Sequence, residues 1–231
     1  MRFYAARYTS RCLVSCMALS LTIRFAAFSM TKKASHLTVR GRLFKNDRTM
    51  RIFILAMLLN VAYHVQAQQI IHFQNASFEG EPQDATVPVG WLPCEPGSTP
   101  DILPGQWGVY QEASDGTTYL GLITREDGTW ESVGQRLQDV LEANECYAFQ
   151  FNLAYAKTYA GYNNPVKLRV WGGQTKCSKD QLLYQTDFIK HINWKTYEVR
   201  FRVKQPINYL IIEAYYSDKE YSYKGNVLID K

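Results

Sequence analysis

The residues best suited to chemistry sit on alternating segments. Between positions 147 and 155, Tyr147, Phe149, Phe151, Leu153 and Tyr155 are large and apolar or aromatic, while Gln150 and Asn152 fall between them. Between 166 and 171, Val166, Leu168 and Val170 alternate with Arg169 and Trp171. A period of two is that of a half-buried strand, so one set faces a core and Gln150, Asn152, Arg169 and Trp171 face away from it. Glu213 and Tyr215 from a later strand, and Trp130 from a loop, are expected to join them. Amides and charges can hydrogen-bond sugar hydroxyls, and aromatic rings pack against the apolar face of a sugar ring. The expected ligand is a glycan or cell-surface polysaccharide.

Catalytic patterns are missing. The chain has no Gly-x-Ser-x-Gly elbow, no phosphate loop and no His-Glu-x-x-His helix, so the reading is not an enzyme. Glu131 and Glu213 could in principle serve as the acid and nucleophile of a glycosidase, a weaker alternative. His72 and His191 stand alone, which argues against zinc. Of the 5 cysteines, Cys12 and Cys16 lie near the N-terminus, leaving Cys94, Cys146 and Cys177. With the 166–171 strand returning antiparallel to the strand opened by Cys146, Cys177 comes near Cys146. A Cys146–Cys177 disulfide is expected, with Cys94 free in a loop or competing.

The elements that must position these residues begin well inside the chain. Met50 and Arg51 precede a short apolar run, Ile52 to Val61, and Val65-Gln66-Ala67 ends in a small residue of the kind a signal peptidase cuts. Residues 50–67 are therefore read as a signal peptide, too short to be a transmembrane span, and residues 68–231 as one exported domain. Residues 1–49, with ten of the 26 Lys and Arg and only one acid, Asp47, are read as a spurious or disordered basic leader. Removing them together with Arg51 changes the charge: the remainder holds 15 basic and 20 acidic residues, a net −5 against +5 for the whole chain. Without a basic face, nucleic acid is excluded as a partner.

Within 68–231, strand patterns recur at 119–124, 130–137, 147–155, 166–171, 197–203, 210–214 and 226–229, separated by loops rich in Gly, Pro, Asn and Asp. Only Ser178 to Tyr184 carries a helical signal. The expected fold is all-β, an antiparallel sandwich or jelly roll.

Five motifs occur in order: Asn75-Ala76-Ser77-Phe78-Glu79, Gly90-Trp91, Gln135 and Leu137 leading to Cys146-Tyr147-Ala148-Phe149, Trp194 to Tyr197, and Val227-Leu228-Ile229-Asp230. Together they resemble the galactose-binding-domain-like jelly rolls, a group that includes carbohydrate-binding modules. The chain is also similar to bacterial exported proteins in which such a module precedes an outer-membrane-protein-A-like domain. The resemblance implies an exported carbohydrate-binding or adhesion module in the periplasm, on the outer surface or outside a Gram-negative cell. Because those relatives continue past the position of Asp230, it also implies a domain truncated at its C-terminus. The alternative is a structural or protein-interaction domain whose anchoring domain is missing. The resemblance further implies a structural calcium ion held by Glu79 and Asp230, which would tie both ends of the sandwich together.

Overall fold

The computed structural model describes residues 70–216 and 222–231, together with the backbone of a strand at Tyr4–Tyr8. The described residues contain no α-helix and form two sheets. In chain order the strands are β1 (Tyr4–Tyr8), β2 (Ile70–His72), β3 (Leu92–Pro93), β4 (Asp101–Leu103), β5 (Tyr119–Thr124), β6 (Ser132–Leu141) and β7 (Cys146–Ala154). They continue with β8 (Asn164–Pro165), β9 (Lys167–Gly173), β10 (Gln181–Gln185), β11 (Lys195–Arg202), β12 (Ile207–Tyr215) and β13 (Gly225–Asp230). One sheet has the order β2-β1-β7-β13-β5-β4, with β11 on the free edge of β7 and β8 beside β13; the other runs β10-β9-β12-β6-β3. Every pairing is antiparallel except β8 with β13. The architecture is the expected all-β sandwich, and each expected strand is present.

Alternation builds the core. Phe149, Phe151 and Leu153 of β7 and Val199 and Phe201 of β11 face Leu168 and Val170 of β9 and Leu210, Ile212 and Ala214 of β12. These are β-branched, aromatic and aliphatic side chains at every second position, so each strand gives one apolar face to the space between the sheets. A second apolar cluster lies outside the larger sheet. There Tyr119, Ile123, Ala154 and Leu228 are covered by Val109 and Tyr159 from the long loops after β4 and β7.

Two expectations change. Ser178 to Tyr184 is not helical: residues 181–185 form the edge strand β10 on β9, because Leu183 turns into the core while Leu182 and Gln185 face outward. The hairpin assumed for Cys146 and Cys177 also does not exist. Strands β7 and β9 belong to different sheets, β9 being flanked by β10 and β12, so the end of β9 does not return to the start of β7. Cys177 is bonded to Cys94 instead, with a Cα–Cα distance of 5.1 Å, and Cys146 is disulfide-bonded without Cys177.

The backbone of Tyr4–Tyr8, within residues 1–49, pairs with β2 and with the first three residues of β7. The remainder of residues 1–49 and the signal-peptide segment lie outside the described residues. No helix among the described residues is long and apolar enough to cross a membrane.

Candidate functional site

The outer face of the five-stranded sheet gathers five of the expected residues. Register places Glu213 of β12 opposite Arg169 of β9 on one side and Ser132 of β6 on the other, and Tyr215 opposite Lys167. Trp171 lies one pair further along β9, and Trp130 reaches in from the turn before β6. All belong to the set that alternation turns away from Leu168, Val170 and Ala214.

Glu213 organises this face. Its Oε1 accepts the indole N–H of Trp171 at 2.7 Å and its Oε2 accepts that of Trp130 at 3.0 Å. Arg169 Nε lies 2.6 Å from Oε1, but its N–H is not aimed at that oxygen, so the contact is coulombic rather than a formed hydrogen bond. Lys179 donates to Oε2 and also to Glu95. The Glu213 carboxylate is fully buried, which would cost several kcal/mol for an isolated ion. Two cations and two indole donors offset that cost.

The aromatic rings are locked around the same carboxylate. The Arg169 guanidinium carbon sits 3.2 Å from the centroid of the Tyr215 ring, a cation–π stack. Trp130 meets Tyr215 edge-on at 5.5 Å and Tyr216 at 5.8 Å. With each indole N–H tied to one carboxylate, neither Trp can swing its ring without losing a hydrogen bond to a buried charge. The result is a partly exposed, pre-oriented aromatic surface.

Lys179 and Glu95 are not among the residues the sequence marks for this site, and the disulfide beside them takes Cys94 rather than Cys146 as the partner of Cys177. Loop 174–180 folds back over the sheet and is fixed by Cys94–Cys177, while Asp180 Oδ2 accepts from Gln174 N and Ser178 Oγ. Cys94 can lie on the sheet because residue 134 is glycine: a Cβ there would come within 2.6 Å of its sulfur. Loop residues have no period to read, so the only sequence signal for Lys179 was its closeness to Cys177.

Gln150 and Asn152 do not join this site. They project from the outer face of the other sheet, where Asn152 donates to Ser114 Oγ at 2.6 Å and accepts from Thr196 at 2.7 Å. Alternation tells inward from outward, but it does not tell which of two outward faces a strand shows. Glu131 and Glu213 are likewise separated. Glu131 pairs with Ala214 through its backbone, and Ala214 is an inward position, so the two carboxylates leave the sheet on opposite sides.

Glu131 has its own buried network. It accepts from Arg125 at 2.6 Å, from the Thr99 hydroxyl at 3.1 Å and from Ile123 N at 3.1 Å. Burial pushes its pKa up to about 7, against the opposing pull of Arg125.

Glu79 and Asp230 approach one loop from two sides. Thr117 donates its N–H and hydroxyl to Glu79 at 3.0 and 2.7 Å, and Ser114 N and Asp115 N donate to Asp230 Oδ2 at 2.6 and 2.8 Å. Among the described residues no group of three or more His, Cys, Asp and Glu side chains is arranged to hold a metal. The two carboxylates are hard oxygen donors of the type calcium takes, and each keeps lone pairs beyond those donors.

No protein-family model matches the chain, and no curated protein matches it. Solved structures of similar outline include a cyclase from Fischerella sp. TAU in complex with 4-(1H-indol-3-yl)butan-2-one. It shares 17% identity at a TM-score of 0.45 and covers 68% of this chain and 92% of that one. The CBM22-1 xylan-binding domain from Paenibacillus barcinonensis Xyn10C shares 18% at 0.44, covering 70% and 90%. The K1 cleaved adhesin domain of Lys-gingipain from Porphyromonas gingivalis W83 shares 12% at 0.43, covering 67% and 92%. At these scores the likenesses decide nothing about function.

Proposed function

We propose that the protein is an exported, non-catalytic carbohydrate-binding or adhesion module whose ligand lies on the outer face of the five-stranded sheet. The observation that carries this reading is the pair of indoles, Trp130 and Trp171, each held by its N–H on the buried Glu213 carboxylate. Rings fixed before the ligand arrives lose little conformational freedom on binding, which favours stacking against a sugar. Lys179 and Arg169 rim that surface with cations. Glu213 itself is spent on its four partners and serves to position the rings. The Cys94–Cys177 bond supports export, since such bonds persist in oxidising compartments.

Calcium is proposed for the loop at 114–118, where Glu79 and Asp230 supply two carboxylates and backbone carbonyls would complete an oxygen shell of roughly six to eight ligands. Its part would be structural.

A glycan array probed with the purified protein tests the functional reading. Binding to at least one glycan class is expected. Binding to none would contradict it and favour a protein-interaction domain, with the exposed Trp107 and Tyr110 as candidate contacts.

A further inference from the structure

Beside the aromatic face lies an open cavity of about 340 Å³, lined by Asn164, Pro165, Phe188, Lys190 and Tyr223. Its volume falls in the range of roughly 300–1,000 Å³ usual for small-molecule sites. Lys167 belongs to β9, two residues from Arg169, and its ammonium lies 5.1 Å from the centre of the Phe188 ring; that of Lys190 lies 5.9 Å from the same centre. The two ammonium groups are therefore at most 11.0 Å apart, the sum of those distances. Neither has a carboxylate partner among the described residues, whereas Lys224 nearby is paired with Glu126. Two ammonium groups beside one ring, without carboxylate partners, give this spot a local positive potential of the sign that attracts an anion.

The walls add what a sugar needs. Asn164 donates its amide N–H to Lys224 O, so its Oδ1 is left to accept a hydroxyl. Tyr223 donates its hydroxyl to Pro165 O, and its oxygen keeps lone pairs that can accept. Pro165 and the rings of Phe188 and Tyr223 offer apolar surface. The cavity also continues the aromatic face: Tyr223 packs on Tyr216 at 5.7 Å, and Tyr216 on Trp130 at 5.8 Å. We infer that this cavity is a subsite for a carboxylate-bearing sugar residue, a uronic acid, so that the ligand of the module is an acidic glycan. This rests on the glycan reading above and names the class of glycan.

The test uses tri-galacturonate and the neutral galactotriose, titrated calorimetrically into the purified protein and into its Lys167→Gln, Lys190→Gln and Phe188→Ala variants. The acidic trimer is expected to bind about tenfold tighter in low salt, with the advantage shrinking as ionic strength rises toward 0.5 M. Each Lys variant should lose most of that advantage, with its affinity for the neutral trimer falling by no more than about twofold and its melting temperature unchanged. Phe188→Ala should weaken both sugars. Equal affinity of the wild type for the two trimers, or an acid preference that survives in both Lys variants, would overturn the subsite. If Trp171→Ala still weakened both sugars in that case, the glycan reading would stand without the subsite. Binding of neither trimer overturns the subsite as well, and the array result then decides the glycan reading separately.

Discussion

Lys179 reaches the buried Glu213 from a loop that is covalently tied down two residues earlier, at Cys177, whose sulfur is bonded to Cys94. The disulfide thus holds one of the two cations that neutralise the carboxylate beneath the aromatic face. The bond closes a sequence separation of 83, for which chain entropy in the unfolded state gives a stabilisation of about 4.5 kcal/mol. A Cys94→Ser/Cys177→Ser double variant is expected to lose about 2–4 kcal/mol in urea denaturation and to expose backbone amides of loop 174–180 to hydrogen exchange. Unchanged exchange in that loop would show that it is held by its hydrogen bonds alone.

Glu213→Gln removes the charge and leaves Arg169 and Lys179 against a neutral amide, whose N–H₂ also faces an indole donor. Breaking a buried ion pair from one side costs about 3–5 kcal/mol, so a loss of that order is expected. Chemical denaturation of the variant checks it. A loss well below about 1 kcal/mol would mean the cluster is far more hydrated than its burial indicates.

Glu131 gives the fold a pH dependence of a definite sign. Burial raises its folded-state pKa from 4.5 to about 7, so the folded protein holds this proton more tightly than the unfolded chain does. Its contribution is therefore fully present below pH 4.5 and is lost as pH climbs through about 7. Arg125 opposes the shift and Asp101 and Tyr159 lie in the same network, Asp101 being raised by its own burial. The melting temperature is expected to fall between pH 5 and pH 8, and Glu131→Gln should flatten that slope. A slope unchanged in the variant would assign the effect to other acids.

The calcium proposal has a separate readout. An ion bound only to the folded state stabilises it by about 2.7 kcal/mol at one hundred times its dissociation constant, so the melting temperature rises with its concentration. Melting in millimolar calcium is expected to exceed melting in chelator, and Glu79→Gln and Asp230→Asn should remove the difference. Identical curves for the wild type would reject the ion and leave the loop clamped by its N–H and hydroxyl donors alone.

Much of this was legible in the sequence because it depends on local alternation. The inward sets Phe149-Phe151-Leu153 and Val166-Leu168-Val170 were readable, and with them the outward direction of Arg169 and Trp171. Which sheet each strand joins was not readable, since it depends on long-range pairing that no short pattern encodes. That one gap accounts for two of the three corrections: it put Gln150 and Asn152 beside Trp171 when they lie on the opposite outer face, and it paired Cys177 with Cys146 when Cys94 is its partner. Lys179, Glu95 and the cavity at Phe188 come from loops, where position is set by what the loop packs on.

The central claim, that the indole-bearing face binds glycan, is tested most directly by titrating one glycan hit into the wild type, Trp171→Ala and Thr196→Ala. Trp171→Ala leaves Glu213 with Arg169, Lys179 and Trp130 as partners, so the variant is expected to fold. Loss of an aromatic anchor costs about 2 kcal/mol or more, so its affinity should fall roughly thirtyfold, while Thr196→Ala on the opposite sheet should bind as the wild type does. Affinity unchanged by Trp171→Ala but lost in Thr196→Ala would place the binding face on the other side of the sandwich and contradict the claim.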